Sequence, residues 1–373
     1  MKEKIIPRKG ILVAGCLALG VMPLLAHDDF SRTNSGYQQV NLVSDIQGIA
    51  SRTDPRLVNP WGMVAGEQAI WVNDNGTGLT TVYGPFGQIF SFAIDIPAPG
   101  GGQGTPTGLV LNDSQQFVIT VGRKHAPASL LMATEDGTIA AWNWHVTGSN
   151  AVLVVDNSAS GAVYKGLAMA RDTNGAPLLF AANFHAGTVD MFDGQFNFVT
   201  SFTDTMVPTG FAPFGIRNLF GKLFVTFALQ KLPEARDDQA GPGNGFVDIF
   251  DTDGTLLRRF ASQGPLNSPW GLAVAPPRWG KFSRALLVGN FGDGRINAYE
   301  VISGKFLGNL TTTKGADLVI NGLWALDFQG DEERDHDERP ASERLYFTAG
   351  INDEADGLFG FLRPVSPAFP MAR

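Results

Sequence analysis

Six times along this chain a Pro-x-Gly-type motif is followed by a short apolar strand and then by an Asn/Asp/Gly-rich turn. The copies open at Pro60-Trp61-Gly62, Pro106-Thr107-Gly108, Tyr164-Lys165-Gly166, Pro213-Phe214-Gly215, Pro269-Trp270-Gly271 and, more loosely, Leu323-Trp324-Ala325. A repeat of this content at a period of roughly 50 residues reads as one propeller blade per copy. The expected architecture is therefore an all-β, six-bladed β-propeller in one domain over residues 40–365. Radial repetition lets a single closed fold exceed the size at which one core normally divides.

Each copy supports the strand assignment. Trp61-Gly62-Met63-Val64 leads to Ala69-Ile70-Trp71-Val72, turns at Asn73-Asp74-Asn75-Gly76 and returns through Leu79 to Tyr83. These segments are strand-length and rich in β-branched or aromatic residues, with turn chemistry between them. Leu178 to Asn183 with Gly187 to Asp193, and Leu286 to Asn290 with Gly294 to Glu300, repeat the pattern. The 45 glycines and 22 prolines suit many tight turns. Two blades depart from it. Blade two is interrupted at Gly122 to Pro127, and blade four carries an insertion from Gln230 to Asn244. Departures from a regular scaffold are where function tends to sit. The acidic run Gly330 to Glu343 reads as a solvated loop.

An open ring would leave a strand edge exposed. Val40 to Ser44 precedes blade one and is apolar enough to be a strand. It is predicted to pair as the outer strand of the last blade, closing the ring.

The first 26 residues run from a basic start (Lys2, Lys4, Arg8, Lys9) through an apolar stretch to small residues, the order of a secretory signal. Cleavage after Ala26 is the expectation, with residues 27–39 a flexible lead-in, residues 366–373 a tail, and the mature chain monomeric in the periplasm or outside the cell. Val13-Ala14-Gly15-Cys16 also has the look of a lipobox, with Cys16 then lipidated. Cut at Ala26, the chain has no cysteine, hence no disulfide and no thiolate chemistry. Its formal charge of −8 and the lack of a basic cluster interleaved with aromatics argue against nucleic acid as a partner.

Two rings of residues could carry chemistry. The residue before each opening glycine should face the channel axis, giving Trp61, Thr107, Lys165, Phe214, Trp270 and Trp324. These either stack on a sugar ring or another flat ligand, with Lys165 holding an anionic group, or simply plug the channel. The second ring comes from the ends of second strands: Asn73 and Asp74, Asn183 and His185, Asn290 and Asp293, and Asn352, Asp353 and Glu354. Converging oxygens could hold Ca²⁺, and His185 could be a ligand or general base. The same residues are also ordinary hairpin formers. Asp251-Thr252-Asp253-Gly254 begins like a calcium loop but lacks the distal Glu, and reads as a turn. No Ser/His/Asp order, nucleophile elbow or phosphate-cradling loop is found.

The Pro-x-Gly openings with Val72-Asn73-Asp74-Asn75 and Ala182-Asn183-Phe184-His185 resemble NHL-type repeats and, more distantly, the gluconolactonase and strictosidine-synthase-like six-bladed propellers. Asn59-Pro60-Trp61-Gly62, the run Asp156 to Ala168, Ala182 to Thr188 and Ala349 to Gly360 look like a family of exported bacterial proteins first noted alongside PEP-CTERM sorting systems. That resemblance implies the fold and export, and no established reaction. The Pro-Glu-Pro tail such systems read is not found near Phe369-Pro370-Met371. The lactonase-like resemblance implies a metal at the channel mouth, although its ligand set of a Glu, two Asn and an Asp does not match position by position. The expected function is a carbohydrate- or protein-binding module. The alternative is a calcium-dependent hydrolase of the lactonase kind.

Overall fold

The computed structural model describes residues 36–66, 68–328 and 343–365. The predicted signal segment, the acidic run from 330 to 342 and the tail lie outside the described residues. Six sheets form the six blades, antiparallel throughout except that Arg52–Thr53 adds a short parallel strand to the outer edge of the last. Blade one is Pro60–Ala65, Ile70–Asp74, Leu79–Tyr83 and Ile89–Asp95, from the channel outward. Blade three runs Tyr164–Arg171 to Phe198–Phe202, blade four Phe211–Leu219 to Leu256–Ser262, and blade five Pro269–Val274 to Phe306–Asn309.

The interruption in blade two is an extra hairpin, Val118–Val121 with Lys124–Pro127, placed between its first strand (Pro106–Leu111) and its second (Leu130–Thr134). Its tip, Arg123 to His125, is exposed.

Blade six is made from both ends of the described chain. Leu323–Phe328, Leu345–Ile351 and Asp356–Val365 are joined by Gly36–Ser44 as fourth strand, antiparallel, from Gly36 opposite Val365 to Ser44 opposite Leu358. The predicted closure is thus observed, four residues longer at its start than the apolar pattern showed. Tyr37 on this strand packs against Trp279 of blade five at 4.5 Å and accepts a hydrogen bond from Phe282 N at 3.2 Å.

Buried apolar side chains divide into six slabs, one between each pair of neighbouring blades, and a seventh cluster on the channel axis. The seventh explains the motif that defines the repeat. A Cβ on Gly62, Gly108, Gly166, Gly215 or Gly271 would sit no farther than 2.9 Å from backbone atoms of the next blade's opening residues: Thr107, Leu167, Phe214, Trp270 and Trp324 respectively. Real Cβ atoms do not approach so closely, so the throat admits only glycine where inner strands converge. At the sixth junction Ala325 replaces glycine. There the Thr348 hydroxyl spaces the blades, accepting from Ala325 N (3.0 Å) and donating to Trp61 O (2.5 Å).

Candidate functional site

Every inner strand starts at the same end of the channel, so the six residues before the throat positions meet there. Trp61 stacks on Trp324 with centroids 3.5 Å apart at 20°, and Phe291 stacks on Trp324 at 4.0 Å. Trp270 stands edge-on to both tryptophans, and Phe214 lies 5.8 Å from Trp324. Trp61, Phe214 and Trp324 are at most 2% exposed, whereas Trp270 and Phe291 are half-buried. Thr107 is buried and donates to Tyr164 O of the next blade at 2.7 Å. Three of the four ring aromatics spend their faces on one another, which is packing geometry; only Trp270 keeps appreciable free area.

Lys165 is 2% exposed, its Nζ 4.9 Å from the centroid of the Trp61 ring and ion-paired with Glu135. Its backbone carbonyl accepts from Trp270 Nε1 across the channel at 3.3 Å. Burial pushes the Glu135 carboxyl up, but Lys165, Asn75 and Arg236 outweigh it and hold it below the usual range. Lys165 is therefore neutralised within the protein. The blade-four insertion lies over this end of the channel. Its Arg236 donates to Glu135 O of blade two (3.0 Å), and its Asp237 approaches Lys165 of blade three at 3.7 Å. His185 Nδ1 is 3.1 Å from Glu234 O, and Asn267 Oδ1 of blade five accepts from Gly241 N at 2.6 Å. Burial raises Asp238, partly offset by Ser268, and raises Glu354 to about 7, helped by the nearby Glu135 charge. This end is capped and acidic.

The second ring does not assemble into a cation cage. Asn73 donates to Thr107 O and Gly108 O (3.1 and 3.2 Å) and accepts from Thr80. Asp74 accepts from Thr81 at 2.6 Å, and burial raises its carboxyl well above the ordinary carboxylate range. Asn183 bonds Asp190, Val163 N and Ala186 N; Asn290 donates to Pro265 O and Asp293; Asp293 pairs with Arg295 at 3.2 Å. Asn352 bonds Asp356 and sits exposed with Asp353. Buried Oδ1 atoms without a partner do remain on Asp74 and Asn290, one in blade one and one in blade five. Among the described residues, no group of three or more His, Cys, Asp or Glu is placed to hold a metal ion. The donor set therefore does not fit the lactonase-like metal, and no step is routed through one. Instead a second-strand Asx bonds a third-strand residue seven positions on: Asn73 with Thr80, Asp74 with Thr81, Asn183 with Asp190. That spacing is readable in the sequence and marks these residues as blade fasteners.

The opposite end is different. Below the aromatic plug the inner strands diverge around a cavity of about 1050 Å³, with Trp270 among its lining. Its walls include Met63, Leu109, Leu111, Leu167, Leu272 and Leu326, and its charged lining is Asp113, Arg171, Arg217 and Arg284. Arg217 bridges blades. Its guanidinium donates to Leu272 O and Leu326 O, both at 2.8 Å, and pairs with Asp327, which accepts from Ala65 N of blade one at 2.9 Å. One side-chain pair thus links blades four, five, six and one. Two residues past each throat position the copies read Val64, Val110, Ala168, Arg217, Ala273 and Asp327. Opposite charges at equivalent positions of an otherwise apolar column were the missed signal.

No family model matches the sequence. Among curated proteins, "Uncharacterized protein R648" of Acanthamoeba polyphaga mimivirus is 31% identical over 351 residues, spanning 92% of this chain and 84% of the relative. "Uncharacterized protein L690" of the same virus is 33% identical over 333 residues, spanning 86% and 84%. The chain belongs to their family. Both relatives are viral and lend no support to the bacterial exported family suggested by the motifs. In the solved structures, a gluconolactonase from Xanthomonas campestris superposes with a TM-score of 0.50 at 14% identity, over 83% of this chain and 87% of that one. A luciferin-regenerating enzyme gives 0.50 at 12%, over 83% and 92%. At these identities the likeness is one of fold.

Proposed function

We propose that this propeller is a binding module whose ligand enters the open end of the channel. The cavity of about 1050 Å³, apolar in its walls and faced by the half-buried Trp270, carries the reading. Ligand sites are typically concavities of roughly 300–1,000 Å³ with a few polar groups among apolar ones. The other end counts against a catalytic mouth, since its cation is neutralised and its Asx side chains fasten blades. On the strength of the basic and apolar leader, we place the mature protein in the periplasm or outside the cell. No helix of the described residues is long and apolar enough to cross a membrane.

The test uses the fluorescent probe anilinonaphthalene sulfonate and the thermal midpoint. The probe should brighten with wild type and markedly less with Leu111→Trp, which narrows the cavity at the end of an inner strand. Calcium against EDTA should leave the midpoint unchanged. A clear rise with calcium, by mass action on the folded state, would overturn the reading in favour of the calcium-dependent hydrolase.

A further inference from the structure

We propose that the ligand of the open end is an amphipathic carboxylate, with its apolar body in the channel and its anionic head at Arg284. The inference rests on the reading of the cavity as a ligand site and adds the chemistry of the occupant. The lining carries three guanidinium groups and one carboxylate, in a chain whose formal charge is −8. Their partners divide them. Arg217 is held by Asp327 and two backbone carbonyls. Arg171 is shared between Asp113 at 3.0 Å and Gly175 O at 3.2 Å. Arg284 is exposed and, among the described residues, has no ion-pair partner. Among the described residues the cavity opening therefore keeps one cation without an ion-pair partner, and a guanidinium fork matches a carboxylate in geometry as well as charge.

The apolar half follows from the walls. One residue past the throat glycines stand Met63, Leu109, Leu167 and Leu272, with Leu111 farther along its inner strand, and Trp270 also faces the cavity. A small polar anion would leave those walls wetted, and a cation would meet Arg284. A molecule with an apolar body and a single carboxylate satisfies both, since apolar burial supplies affinity and the head supplies orientation.

Calorimetric titration of the protein with decanoate and with decanol, both below micelle-forming concentration, tests this. Decanoate should bind more tightly than decanol. Arg284→Glu should weaken decanoate by about tenfold, the loss of one charge-assisted hydrogen bond, and leave decanol unchanged, while Arg284→Lys should retain most of the decanoate affinity. Arg284 is exposed, so neither change threatens folding, and circular dichroism checks this. Equal affinities for the two probes, with Arg284→Glu changing neither, would overturn the carboxylate inference and leave the cavity reading standing. Decanoate binding that survives Leu111→Trp would place the ligand elsewhere and overturn both. No binding of either probe would overturn the inference, with the anilinonaphthalene result then deciding the cavity.

Discussion

At one end of the channel the insertion from Gln230 to Asn244 reaches blades two, three and five, over an aromatic plug and a neutralised lysine. At the other, the same six inner strands end around a cavity lined in part by Arg217, which pairs with Asp327 across the blades. The throat glycines between the two ends are a property of the ring, whereas cap and cavity come from single departures from the repeat. Closing a propeller thus leaves its two ends free to specialise separately.

The comparison can be broken most forcefully at the plug. Trp324→Ala should cost roughly 3–5 kcal/mol in denaturant unfolding, because the ring is stacked on both faces. Trp270→Ala should cost less and instead reduce ligand affinity, since Trp270 lines the cavity. Equal stability losses from the two would merge plug and cavity into one packed core. At the open end, Arg217→Met leaves Asp327 buried without its cation and should cost about 3 kcal/mol. The double variant with Asp327→Leu should recover much of that. If the double variant is no better than the single, the pair is not a self-contained bridge.

Between the ends, Gly62→Ala should cost about 2 kcal/mol through overpacking against the Thr107 carbonyl, while the exposed Gly175→Ala should be felt only through its positive φ. The smallest effect belongs to the cap. Glu354 is raised from an ordinary 4.5 to about 7, chiefly by burial. Its neutral form favours folding, so this contribution is intact below about pH 4.5 and is lost as the pH rises through about 7. Glu354→Gln should therefore raise the thermal midpoint near pH 8 and leave it unchanged near pH 4. A gain at both would mean packing rather than charge.

Blade number and ring closure could be read from the chain, because opening motif, strand composition and turn chemistry recur together, whereas strand ends shifted, Asn73 and Asp74 lying in a strand rather than a turn. The aromatic ring residues could be placed in register for the same reason. Their role could not: whether Trp61 faces a ligand or Trp324 depends on a 3.5 Å stacking distance set by how far the blades converge. The Asx residues could be read either toward a cation site or as hairpin formers, because their partners Thr80, Thr81 and Asp190 lie on the adjacent strand. Glu135 and Asp237 meet Lys165 only through the fold, from blades two and four. The cavity has no local signature, being what remains where strands from six blades diverge.

The strand Gly36–Ser44 has one more consequence. Among the described residues its partner, Asp356–Val365, is the last strand and Gly36–Ser44 the first, so the two can zip together only after the five blades between them have been translated. Loop closure of that span carries an entropic penalty, and the local pairing of Val43 and Ser44 with Arg52 and Thr53 holds only one edge of the strand meanwhile. A ribosome stalled before Asp356 would hold five blades and two strands of the sixth, with Gly36–Ser44 lacking the strand that joins it to them.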